Sequence, residues 1–220
     1  IKNNMNKELA RELVKDIPNI REYPITYVFE KMGLKHKPGT LWLEFGVAAG
    51  ISVKKIASYT EDVVYGFDSF EGLPEYWRPQ FGKGKFSQKG RLPKVPENVK
   101  LIKGWFNEVL DGFLEEHPEK VSFLHIDSDI YSSAKYVLDR LKDRLEDDCV
   151  IVFDELLNYP GFDGDNGELR AWHEFITENE VEYEWIGMNG RPYGMTGTHR
   201  LHNAQHVALR LKSIKPGRSG

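Results

Sequence analysis

The sequence predicts an α/β fold: a mostly parallel sheet with helices on both faces. Three observations carry this. Short runs rich in β-branched and aromatic residues alternate with longer amphipathic runs. Strand and helix alternate at a spacing that calls for parallel strands joined by right-handed crossovers. The chain then closes on two strand-like runs with no helix between them, which predicts an antiparallel last strand.

The elements follow in order. Residues 6–17 and 24–32 read as two helices ahead of the alternating unit. They predict an N-terminal helical cap over residues 1–35, or a contact with a second copy of the chain. Residues 40–45, 63–67, 99–102, 121–126 and 149–153 predict five strands. Residues 52–58, 106–116, 132–145 and 168–179 predict the helices between and after them. In the third of these helices Ala134, Val137, Leu138, Leu141 and Leu145 fall on one stripe. Residues 183–188 and 205–213 predict the closing hairpin across a loop at 189–204. Val207, Leu209 and Leu211 alternate there with Ala208, Arg210 and Lys212. The main domain is expected over 36–215, with 216–220 as a tail. Residues 69–98 are too long for an ordinary connection and hold four prolines and four glycines, so a lid-like insertion is expected.

Composition excludes several classes. The chain has 220 residues, 40% hydrophobic and 29% charged, which suits a packed domain and not a disordered one. A formal charge of −4 offers no field for nucleic acid. No apolar run approaches the ~18 residues of a membrane helix. One cysteine, Cys149, excludes an internal disulfide framework and cysteine-zinc sites, and its place in a buried strand predicts inertness. A cytoplasmic protein with no nucleic-acid or membrane partner is expected.

The first strand runs into Glu44-Phe45-Gly46 and then Gly50. Gly46 permits a sharp turn and close approach of a ligand. Gly50 opens the next helix, whose N-terminus favours electronegative groups. The second glycine of a pyrophosphate turn is missing, and Glu44 would repel a diphosphate. A carboxylate there suits a ligand with a cationic amino group. Asp68 ends the second strand, where an acidic residue accepts hydrogen bonds from both hydroxyls of an adenosine ribose. Together these point to S-adenosylmethionine over NAD. The competing reading makes Gly46 and Gly50 tight-turn residues and Asp68 a helix cap.

The fourth strand ends on Asp127-Ser128-Asp129 and the fifth on Asp154-Glu155. Adjacent parallel strands lie about 5 Å apart, so four carboxylates crowd one sheet edge. Their repulsion asks for a cation, and oxygen ligands suit Mg²⁺ or a similar divalent ion. The competing reading is that Asp127 and Asp154 cap helices while Asp129 and Glu155 face solvent. Two weaker patterns are His199, His202 and His206, and the calcium-loop-like start at Asp163, which lacks the required glycine.

Residues 43–53, V-Y-G-F-D-S-F-E-G-L-P at 64–74, K-G-W-F at 103–106, H-I-D-S-D-I-Y-S-S at 125–133 and V-F-D-E at 152–155 resemble the consecutive signatures of macrocin O-methyltransferase-like enzymes. The resemblance covers about 41–175. It implies a Rossmann-like class I methyltransferase with a seven-stranded sheet, dependent on S-adenosylmethionine and Mg²⁺. It also implies an acceptor that is a sugar or another polyhydroxylated small molecule, as in macrolide and aminocoumarin antibiotic biosynthesis. Glu44, Phe45, Gly46 and Gly50 would hold the methionine end of the cofactor, Asp68 and Ser69 the ribose, and Gly104, Trp105 and Phe106 the adenine. Asp127, Asp154 and Glu155 match the metal-ligand positions, and Asp129 the general base. Glu155 departs from the family's usual aspartate. Two other classes compete: a D-x-D glycosyltransferase, and a methyltransferase fold kept as an interaction module.

Overall fold

Every residue of β1 (Thr40–Phe45) is buried. A strand covered on both faces needs apolar residues at successive positions, which Leu41, Trp42, Leu43 and Phe45 supply. Glu44 is the only charge among them. The computed structural model describes residues 5–164, 166–192, 204–215 and 217.

β1 lies mid-sheet. It pairs in parallel with β2 (Val64–Asp68) and β4 (Lys120–Ile126). β2 pairs in parallel with β3 (Val99–Lys103), and β4 with β5 (Leu145–Phe153). β7 (Val207–Lys215) runs antiparallel between β5 and β6 (Glu180–Met188). The order is β3-β2-β1-β4-β5-β7-β6. Connections therefore leave β1 in opposite directions, and a crevice opens beyond the C-terminal ends of β1 and β4.

The period of two along each strand separates two cores. Leu41, Leu43 and Phe45 pack with Leu110 of α4 (Phe106–Glu116), Val137 of α5 (Tyr131–Leu141) and Trp172 of α6 (Gly167–Glu178). Trp42 faces the other way. It packs with Val53 and Ile56 of α3 (Ile51–Ala57) and with Val28 and Phe29. α1 (Lys7–Val14) sends Ala10 and Val14 into the first core. α2 (Pro24–Thr26) continues into a π-helical turn (Tyr27–Lys31) where the sequence predicts one α-helix.

One boundary differs in kind. The apolar stripe predicts a helix to residue 145, but α5 stops at Leu141 and Leu145 opens β5. Leu145 pairs with Val121, whose N–H donates to the Arg144 carbonyl at 2.6 Å. Arg144 itself donates to the carbonyls of Leu114 and Glu119. An apolar residue at 145 satisfies either pattern, and the sheet takes it. Among the described residues no helix is long and apolar enough to cross a membrane.

Candidate active site

A cavity of about 650 Å³ opens beyond β1, β2, β4 and β5. That volume suits a small-molecule site. Gly46, Ala48, Asp68, Ser69, Gly104, Trp105 and Phe106 line one side; Asp127, Asp129, Asp154 and Glu155 line another. Residues of the 69–98 segment, including Leu73, Pro74 and Phe86, supply part of its wall, as do Ser132, Ser133 and Tyr136 of α5. Ser132 donates to Glu75 at 3.1 Å, which ties that segment to α5.

Gly46 sits at φ +97°, in the left-handed region, and a Cβ there would stand 1.8 Å from the Asp127 carbonyl oxygen. The glycine is thus required by the neighbouring strand end before any ligand arrives. Asp68 holds the same turn. Its Oδ2 accepts from the N–H groups of Val47 at 2.8 Å and Ala48 at 2.7 Å, and its Oδ1 from Phe70 at 2.7 Å. A carboxylate offers about four acceptor sites. Three are taken by backbone N–H groups. Ser69 lies beside it and accepts from the N–H of Glu71 at 3.1 Å.

The strand register builds the acidic floor. Glu44 is level with His125, and His125 with Val152. Two residues further on, the same face carries Gly46, Asp127 and Asp154. Asp129 has φ +63° and is buried, an arrangement an aspartate tolerates better than most residues. Donor atoms of Asp127, Asp129 and Glu155 all lie within 4.8 Å of one another, and so do those of His125, Asp127 and Asp154. The three ligand positions expected from sequence therefore fall into two groups that share Asp127. Asp129, expected as the base, stands within the group that holds Glu155.

The electrostatics are those of crowded, desolvated acids. Burial, then the neighbouring carboxylates, pushes Asp127 and Glu155 well above the usual range. Burial lifts Asp129 to about 6, opposed by a hydrogen bond with Glu155. Burial would raise Asp154 too, but His206 and His125 hold it below its ordinary value. Those histidine nitrogens stand 3.0 Å and 3.6 Å from Asp154 Oδ1. A fifth carboxylate is present. Glu168 of α6 is fully buried, accepts from the Glu155 N–H at 3.0 Å, and is also pushed up, first by burial. Five acids in so little volume fit a divalent cation, because a cation offsets their burial and mutual repulsion.

Glu44, Phe45 and Gly50 do not line the cavity. Glu44 is fully buried, and its Oε2 lies 2.7 Å from His125 Nδ1. Phe45 faces the other core, stacked on Phe67 at 4.6 Å and edge-on to Phe106 at 5.2 Å. It thus steadies an aromatic residue that does line the cavity. Gly50 is the N-cap of α3 at φ +82°. His199 and His202 lie outside the described residues. His206 meets Asp154 and the edge of Tyr23, whose ring centroid is 5.0 Å away. Sequence reasoning missed His125 and Glu168. An ionisable residue inside an otherwise apolar strand was the available signal for the first; the second has no local signal.

The chain matches a family described as methyltransferase domain over residues 43–156. No curated protein matches it. Among solved structures it is similar to CalS11, a calicheamicin methyltransferase, at 19% identity and TM-score 0.58, over 93% of this chain and 90% of that one. It is similar to the O-methyltransferase NovP at 17% identity and TM-score 0.55, over 93% and 81%. A Bacillus cereus O-methyltransferase solved with S-adenosylhomocysteine gives 11% identity and TM-score 0.50, over 94% and 90%. These likenesses are of fold: a seven-stranded, mostly parallel class I methyltransferase sheet. The family match covers more than half of the chain, from within β1 to just past β5, the part that builds the cavity. The chain belongs to the methyltransferase-domain family.

Proposed function

We propose that the protein is an S-adenosylmethionine-dependent O-methyltransferase, assisted by a divalent cation, acting on a hydroxyl of a sugar-bearing or other polyhydroxylated small molecule. One observation carries the reading: a single cavity joins the Gly46–Asp68 turn to the carboxylates at the ends of β4 and β5. A cofactor cradle thus abuts a site able to hold a cation and to accept a proton.

When bound, S-adenosylmethionine supplies an electrophilic methyl group, and a divalent cation supplies Lewis-acid charge that lowers the pKa of the acceptor hydroxyl. The protein's own residues do the rest. The turn at Gly46, held by Asp68, sets the cofactor's position, with Ser69 beside the ribose. Gly104, Trp105 and Phe106 border the adenine. Asp127, Asp154 and Glu155 hold the cation. Asp129 would accept the proton of the acceptor hydroxyl. Holding both partners in line supplies much of the rate. The 69–98 segment excludes water over the cavity. A sugar-bearing acceptor draws support from a structural neighbour described as a TDP-rhamnose 3′-O-methyltransferase. The setting we propose is the cytoplasm.

Calorimetry and thermal shift with S-adenosylhomocysteine, NAD and UDP, each with and without Mg²⁺ or Mn²⁺, test this. S-adenosylhomocysteine should stabilise the protein, by about 2.7 kcal/mol at a hundredfold excess over Kd. Binding of UDP with metal, and not of S-adenosylhomocysteine, would support a glycosyltransferase and overturn the proposal. Binding of none would favour an interaction module.

A further inference from the structure

Beneath the carboxylates a polar pair joins Glu44, expected at the cofactor, to His125, which the expected site does not include. His125 is fully buried in β4, and Glu44 fully buried beside it in β1. Glu44 Oε2 stands 2.7 Å from His125 Nδ1. The other imidazole nitrogen, Nε2, has no hydrogen-bond partner. Its nearest acid is Asp154, with Oδ1 at 3.6 Å, beyond hydrogen-bond reach. Donor atoms of His125, Asp127 and Asp154 nevertheless all fall within 4.8 Å of one another.

We infer that His125 Nε2 is a nitrogen ligand of the divalent cation, completing a set with Asp127 and Asp154, with Glu44 holding the imidazole from behind. The inference rests on the metal-assisted reading above and adds to it the chemistry of the ion.

Three arguments lead there. A buried imidazole nitrogen that makes no hydrogen bond and only a long ion pair is poorly satisfied, and here it faces carboxylates that themselves repel one another. Ligand atoms about 2.1 Å from one ion stand roughly 3–3.5 Å apart, close to the Nε2–Oδ1 separation and unlike a direct hydrogen bond. A metal-ligating histidine almost always gives its other N–H to a carboxylate or carbonyl, which fixes its tautomer; Glu44 stands where that acceptor must be. The cation takes the place of a proton on Nε2, which leaves to solvent on binding.

The consequence is selectivity. An oxygen-only cluster suits Mg²⁺ or Ca²⁺, whereas an imidazole moves the preference toward Mn²⁺, Fe²⁺ or another first-row ion. Glu155 and Asp129 belong to the other group of donor atoms, which shares Asp127.

Pulsed electron paramagnetic resonance of Mn²⁺ bound to the full chain tests the assignment without any assay of activity. Wild type should show coupling to an imidazole nitrogen. His206→Gln should keep it, although His206 also stands against Asp154. His125→Gln should lose it, and its Mn²⁺ affinity should fall by about 10–100-fold while Mg²⁺ affinity moves far less. Should His125→Gln fail to fold, ¹⁵N-histidine labelling of wild type and of His206→Gln replaces it, and the coupling should change to that of ¹⁵N in both. Mn²⁺ bound without nitrogen coupling, or coupling lost in His206→Gln alone, overturns the role of His125 and leaves the metal-assisted reading standing. No binding of Mn²⁺ or Mg²⁺, even with S-adenosylhomocysteine present, overturns both.

Discussion

Replacing Asp68 by alanine separates two roles that sequence alone merges. A residue that serves only the cofactor can be removed without harm to the free protein. In this structure the Asp68 carboxylate accepts three backbone N–H groups, from Val47, Ala48 and Phe70, at 2.7–2.8 Å. Hydrogen bonds to a charged group contribute about 1.5–3 kcal/mol each, so the three set an upper bound of roughly 4–9 kcal/mol. The site is only part-buried, and water can reach some of the orphaned donors. The expected loss is therefore about 3–5 kcal/mol. For a chain of this length that lowers Tm by roughly 8–15 °C. Asp68→Asn keeps at most two of the three acceptor contacts and turns an amide donor toward the third N–H, so its loss should be intermediate. Thermal unfolding without ligand measures both. Native-state hydrogen exchange should localise the change to the amides of Val47, Ala48 and Phe70. If Asp68→Ala melts within about 2 °C of wild type, the three bonds do not hold the turn and the reasoning fails.

Other outcomes follow from the buried charges. Folded Asp129 keeps its proton up to about 6, while an unfolded aspartate ionises near 3.8, so rising pH across that window costs stability in the cation-free protein. Denaturant titrations at stepped pH should show that fall, and Asp129→Asn should flatten it; an unchanged slope would place the effect elsewhere. His125 extends the same trend to higher pH, since its neighbours Asp154 and Glu44 lift it, against burial, from 6.5 to about 10. Its contribution is full below 6.5 and fades toward 10. Burial favours the neutral form of Glu168, so Glu168→Gln should cost under about 1 kcal/mol, whereas Glu168→Ala, which leaves the Glu155 N–H unpaired, should cost about 2–3 kcal/mol. A costly glutamine variant would show that the carboxylate is ionised. Cys149 is fully buried and its thiol is pushed up by burial, so thiol reagents should modify it only on unfolding.

Much of the fold was legible because it depends on local pattern. Thr40–Phe45 and Phe106–Glu116 have the bounds that their apolar spacing implies, and the parallel sheet with one antiparallel strand follows from alternation and its final break. Leu145 was misread because an apolar residue satisfies helix and strand equally, and the choice rests on Val121, far away in sequence. The same limit governs the site. Residue type and chain order place Asp127, Asp129, Asp154 and Glu155 at two neighbouring strand ends, since topology brings those ends together whatever the side chains do. How the four divide is a matter of angstroms. Strand register aligns Glu44 with His125 and sets Asp154 between His125 and His206, while a left-handed backbone at Asp129 turns its carboxyl toward Glu155. Asp68 shows the difference most plainly: its position at the end of β2 can be read from sequence, but its three backbone partners exist only once the turn after β1 is folded against it. Sequence decides which groups arrive at an edge, because pattern and order are local properties. Tertiary structure decides which of them share a proton, a backbone amide or a cation, because those interactions vanish over one or two angstroms.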